Sequence, residues 1–162
     1  MSRAGARKTR LSKGDGAMNV YDDLCDAAKS AGIKLFTVTL HDPGHAQVRR
    51  AYSSDPVAYP VSGTKPLSDD AWSQQVIGRG EAFVANHDSG FKDLFPDHAQ
   101  IVALGCRSCA NLPILRKGEV VGTLNLLAEA GHFTPARLAG YQAMLAAHHD
   151  ALLAEIAARP LG

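Results

Sequence analysis

Cys106 and Cys109 stand three positions apart in "LGCRSCANLPILRKGEVVGTLNLL", residues 104–127, and supply two of the chain's three cysteines. A Cys-x-x-Cys spacing can serve a dithiol redox couple or half of a tetrahedral zinc site. The redox form places its reactive thiol at a helix N-terminus, which lowers the thiol pKa. Here the pair leads into an apolar, strand-like run instead. A zinc site needs a second Cys/His pair at ligand spacing, and the seven histidines form none. Two readings of the thiols remain: inert packing, or a nucleophilic Cys106 on the rim of a pocket. In the second, His98 or Asp97 folds toward Cys106 from the irregular segment upstream, and His98 as a base lowers the effective thiol pKa. That pair would make a small cofactor-independent enzyme acting on an amide, carbonyl or oxidised-sulfur substrate. No G-x-S-x-G, P-loop or dinucleotide fingerprint accompanies it.

The polar residues of the same stretch suggest binding. Strand alternation puts Cys109, Asn111 and Pro113 on one face of "RSCANLPIL" and Ser108, Ala110, Leu112 and Ile114 on the other. In "VVGTLNLL" it groups Val121, Thr123 and Asn125, and in "VRRAYSS" it groups Val48, Arg50, Tyr52 and Ser54. A polar sheet face, once covered, needs hydrogen-bond partners, which a polar ligand would supply; left open, it is simply wet. Tyr59, Lys65 and Trp72 follow in "SSDPVAYPVSGTKPLSDDAW". Arginine beside aromatic rings suits a small anionic or aromatic ligand. The candidate binding set is therefore Arg50, Tyr52, Ser54, Tyr59, Trp72, Cys106, Ser108, Asn111 and Asn125, with Cys106 and His98 as the candidate catalytic pair. No metal or cofactor is expected.

The elements that must position these residues follow from periodicity. "GAMNVYDDLCDAAKSAGI" has helical spacing and stops at Gly32. "IKLFTVTLHD" and "AQVRRAYSS" read as paired antiparallel strands. A short helix in "SDDAWSQQVIGRGE" starts from a Ser68 cap, and "EAFVAN" is a short strand. "RSCANLPIL" and "VVGTLNLLAE" form a hairpin about Lys117–Gly118. "FTPARLAGYQAMLAAHHDALLAEIAAR" predicts one long amphipathic helix, capped by Thr134 with Pro135 at its first position, and His148 falls on its apolar stripe. Neighbouring strands joined by short turns make the class α+β, with a mostly antiparallel sheet.

The whole composition is that of a globular domain of 162 residues, 46% hydrophobic and 20% charged, with a net charge of +1. Residues 1–16 read as a basic disordered tail and 17–160 as the folded domain. No apolar run approaches the roughly 18 residues of a membrane span. Sparse, odd cysteines suit a reducing cytoplasm, and neither membrane nor nucleic acid is expected as a partner.

Gly105, Arg107–Ser108, Leu112–Pro113, Gly118, Val121–Gly122, Leu124 and Phe133–Thr134, in that order, resemble the C-terminal half of a GAF domain. Upstream, "GRGEAFVANHD" is similar to the GAF passage in which a short helix ends at glycine and a strand leads to aspartate. The resemblance covers about residues 18–158. It implies a six-stranded sheet with helices on one face and a small-molecule pocket on the other, lidded by the segment carrying Tyr59, Lys65 and Trp72. It also implies a sensor or regulatory role, here as a stand-alone domain, and a homodimer paired through the first and last helices. The free methionine-R-sulfoxide reductases are enzymes within that family. Their catalytic cysteines are not reproduced, since "SGTKPLSDDAW" has none and Cys106 sits close to the strand.

Overall fold

The computed structural model describes residues 19–42, 44–61 and 64–159. The tail expected over residues 1–16 lies outside the described residues.

Helix α1 (Val20–Ser30) begins where the Asn19 side chain accepts from Tyr21 N at 2.7 Å, with Asp22 and Asp23 in its first turn facing the positive end of the dipole. It stops at Gly32, whose φ is +112° and whose missing side chain leaves room for the His132 ring, 2.8 Å from where a Cβ would stand. Then come β1 (Leu35–Asp42) and β2 (Gln47–Ser53), followed by β3 (Lys65–Pro66) and α2 (Ala71–Ser73), which runs into a π-helical turn over Gln74–Gly78. Asp70, rather than the expected Ser68, caps α2, because its carboxylate accepts from Ser73 N at 2.8 Å. After β4 (Phe83–Ala85) and a 3-10 turn (Asp88–Gly90) follow α3 (His98–Ala103), β5 (Ser108–Arg116), β6 (Glu119–Ala128), α4 (Pro135–Ala147) and α5 (His149–Ala158).

The sheet consists of five strands of three to ten residues, and the two-residue β3 closes its β2 edge. Its order is β3-β2-β1-β6-β5-β4, and every pairing is antiparallel. One face is apolar. Phe36, Val38, Leu40, Leu112, Ile114, Leu124 and Leu126 meet Leu24, Tyr141, Leu152 and Ile156 from the helices. Burying each such side chain contributes about 1.5–3 kcal/mol, so this face anchors the domain.

Two β-bulges break the alternation used to sort the faces. On β2, Val38 pairs with Tyr52 but Thr39 pairs with Arg50, so Ala51 is the extra residue. Arg50 keeps the side of Thr39, while Tyr52 turns to the helix side, its ring 5.7 Å from that of Tyr21 and 5.8 Å from that of Phe36. On β6 the extra residue is Val121, which joins the helix-side core rather than the polar face.

The expected long C-terminal helix is two helices. His148 breaks it, its Nδ1 2.8 Å from Met144 O, while His149 Nε2 lies 2.6 Å from Leu115 O at the far end of β5. Side-chain contacts to backbone oxygens on both sides of the junction replace helix continuity. Nearby, His132 is buried, its Nε2 2.7 Å from the Tyr141 hydroxyl. Burial, reinforced by the Arg137 charge, lowers the His132 pKa below its ordinary 6.5.

Two consequences are measurable. A Cβ at Gly122 would lie 2.8 Å from Thr39 O, so Gly122→Ala is expected to cost about 1–3 kcal/mol in urea unfolding. His132 fits the fold in its neutral form. Its contribution is full above pH 6.5 and is lost as pH falls through the lowered folded-state pKa. A His132→Gln variant should show a shallower loss of stability over that acid range than the unmutated chain.

Candidate functional site

The second sheet face is covered and polar. From β5, Asn111 stands directly opposite Asn125 of β6, which stands opposite Thr37 of β1. Asn111 Nδ2 donates to Asn125 Oδ1 at 2.9 Å, and Asn125 Nδ2 donates to Thr37 Oγ1 at 3.1 Å and Thr39 Oγ1 at 3.0 Å. The row ends at α2, where Trp72 Nε1 donates to Asn111 Oδ1 at 2.9 Å. The Asp70 cap sets the start of α2 and so fixes where Trp72 can reach. The buried Asn111 amide and the half-buried Asn125 amide are thereby each partnered by a neighbour on the next element.

Aromatic rings roof the neighbouring part of this face. Phe95 meets Trp72 edge-on at 6.4 Å, Phe83 at 6.4 Å and Phe91 at 5.5 Å. Tyr59 is buried beside them, its hydroxyl donating to Asp97 Oδ2 at 2.5 Å. Burial first, then that carboxylate, raises the Tyr59 pKa. The Arg50 guanidinium sits 5.0 Å from the Tyr59 ring centroid and donates to Pro60 O at 3.1 Å. The loop is thus held to the sheet by a stacked cation and a charge-assisted hydrogen bond.

Of the residues singled out in the sequence, Arg50, Tyr59, Trp72, Asn111 and Asn125 come together here. Tyr52 does not: its hydroxyl donates to Asp22 Oδ1 at 2.9 Å on the helix side. Ser54 Oγ accepts from Phe36 N at 3.0 Å, so its hydroxyl is spent on the main chain. Ser108, on the helix side, donates to Glu129 O at 2.6 Å. The bulge at Ala51 misplaces the first two, and ordinary alternation displaces the third. Thr37 and Thr39 belong to the face and are absent from the candidate set, although their alternation in "FTVTLHD" is legible.

Cys106 lies under the roof, not on a rim. It is fully buried with Cys109 among Tyr59, Phe91, Ile101 and Leu127. Burial pushes the Cys106 thiol pKa up, and that of Cys109 up to about 12. His98 turns Nε2 toward Asp88 Oδ2, 3.2 Å away, and Arg107 Nη1 donates to the other oxygen of the same carboxylate at 3.4 Å. Asp97 is occupied by Tyr59. A thiol with a raised pKa and no adjacent base is a poor nucleophile, so this arrangement does not favour the catalytic pair.

Residues 19–147 match the family profile of the GAF domain, and the chain belongs to that family. Solved structures agree in fold. The GAF domain of a two-component sensor histidine kinase from Bacillus halodurans is 15% identical, with a TM-score of 0.65, over 92% of this chain and 99% of that one. The GAF domain of a phosphoenolpyruvate-protein phosphotransferase from Coxiella burnetii is 20% identical, with a TM-score of 0.61, over 93% and 92%. A type II free methionine-R-sulfoxide reductase from Thermoplasma acidophilum is 10% identical, with a TM-score of 0.61, over 82% and 88%. No curated protein sequence matches the chain. Among the described residues no helix is long and apolar enough to cross a membrane.

Trp72 is the chain's single tryptophan, so its emission reports on this row alone. Asn111→Ala strands the indole N–H and the Asn125 carbonyl. The variant is expected to lose about 1–3 kcal/mol of stability and to shift Trp72 emission to the red.

Proposed function

We propose that this GAF domain is a regulatory module binding a small anionic or aromatic organic molecule on the polar sheet face. The observation that carries the reading is the covered row from Trp72 through Asn111 and Asn125 to Thr37 and Thr39. A face meant only for packing would be apolar like the other one, because burying amides brings little net stability even when they are satisfied. Arg50 contributes a fixed positive charge beside this row, and Tyr59 and Trp72 contribute aromatic surface. Membership of a family whose relatives include sensor and phosphotransferase domains agrees with regulation.

The working unit is residues 17–160. It acts as a homodimer in which a second copy covers the helices. A groove of about 310 Å³ between α1 and α4, lined by Ala27, Ala31, Gly140, Tyr141 and Met144 with Arg137 at its edge, supports that arrangement. Small residues there allow close helix approach. The three free thiols are consistent with a reducing, cytoplasmic setting.

Native and denaturing mass spectra of the purified protein test the binding function. A reproducible extra mass that disappears on denaturation is expected. If no small molecule accompanies the protein, and Trp72 emission does not respond to a metabolite extract, the ligand-binding reading fails.

A further inference from the structure

Three buried side-chain nitrogens have no hydrogen-bond partner among the described residues: His41 Nε2, Arg49 Nε and Arg50 Nε. A polar group in that state is costly until something completes it. Two of the three share the polar face. Strand β1 pairs with β6 without interruption from Leu35 to Leu40, so His41 continues the side of Thr37 and Thr39. The bulge on β2 puts Arg50 opposite Thr39, and Val48 opposite His41. His41 and Arg50 are therefore diagonal neighbours, with backbones roughly 7–8 Å apart. Arg49, opposite Leu40, belongs to the other side.

The two groups require opposite partners. His41 Nδ1 lies 3.1 Å from Val120 O, which can only accept, so Nδ1 carries the proton. In its neutral form the ring then presents a lone pair at Nε2, on a residue only 9% exposed. Arg50 Nε is an N–H donor on a permanent cation. Its Nη1 bond goes to a carbonyl, and among the described residues no carboxylate pairs with it.

A molecule completing both would bring an anionic acceptor to Arg50 and a hydrogen-bond donor, such as an O–H, to His41. We infer that the site takes a small hydroxylated carboxylic acid. This inference rests on the ligand-binding reading above and narrows its chemistry: neither a neutral aromatic nor an acid without a donor answers both groups. Thr39 sits opposite Arg50 and accepts from Asn125, so occupancy at this end bears on the row that terminates at Trp72.

The test is a titration of the full chain, followed by Trp72 fluorescence and calorimetry. The probes are lactate and 3-hydroxybutyrate, with butyrate and pyruvate lacking the donor and lactamide lacking the charge. At least one hydroxy acid is expected to bind at least about tenfold tighter than all three controls. Arg50→Met should remove that margin over lactamide, and His41→Phe should remove the margin over butyrate. Arg50→Lys, a gentler change, accompanies them with circular dichroism melts, so that misfolding is not taken for lost binding. The comparison of probes on the unmutated chain decides the matter even if every variant unfolds. Equal affinity across the probes, or no response to either hydroxy acid, overturns the inference. A neutral molecule found bound in native mass spectra, with no response to the acids, would sink this inference and leave the ligand-binding reading standing; no bound molecule and no response would sink both.

Discussion

Asn111 and Asn125 face one another across the two longest strands, Asn111 buried and Asn125 half-buried. A buried amide with an unmet donor or acceptor costs about 1–3 kcal/mol, so the arrangement around this pair is tightly constrained. Asn111 spends its oxygen on Trp72 and its nitrogen on Asn125, and Asn125 hands the demand on to two threonines of β1. Strand register, the position of α2 and its Asp70 cap all have to agree for that row to close. The opposite sheet face makes no such demand. Its leucines, isoleucine and phenylalanine only have to fill volume, and the helices supply the matching surface.

This division explains why the domain can carry a polar face at all. Stability comes chiefly from the helix-side core, where burial is non-directional. The polar face contributes specificity of arrangement rather than net energy. Arg50 fits the same division: its charge is held by ring stacking on Tyr59 and a carbonyl contact, both of which leave Nε uncommitted. The thiols sit on the dry side of the roof, where desolvation keeps them protonated.

Much of this is readable from residue order. The strands, the hairpin about Lys117–Gly118, the α+β class and the family come from periodicity, turn chemistry and the succession of motifs. The facing pair Asn111 and Asn125 comes from alternation plus a tight turn. Residue order misleads at single positions. Alternation assumes an unbroken ladder, and the extra residues Ala51 and Val121 each reverse the side of the residues beyond them, which is why it misassigns Tyr52 and Ser54. The β2 bulge carries no glycine or proline to announce it, whereas Gly122 borders the β6 one. The helix break at His148 is hidden for a related reason: the apolar stripe continues across it, while the contacts of His148 with Met144 O and His149 with Leu115 O mark the junction.

That last contact ties together two places the chain keeps far apart. Asn111 and Leu115 belong to one strand, four residues or about 13 Å apart. From Leu112 onward β5 pairs with β6 alone, and that ladder shifts register between Ile114 and Leu115. The indole is bound at one end of this segment, and the imidazole of His149 holds the other at the start of the last helix. One short strand segment therefore sets the spacing between α2 and the C-terminal helix.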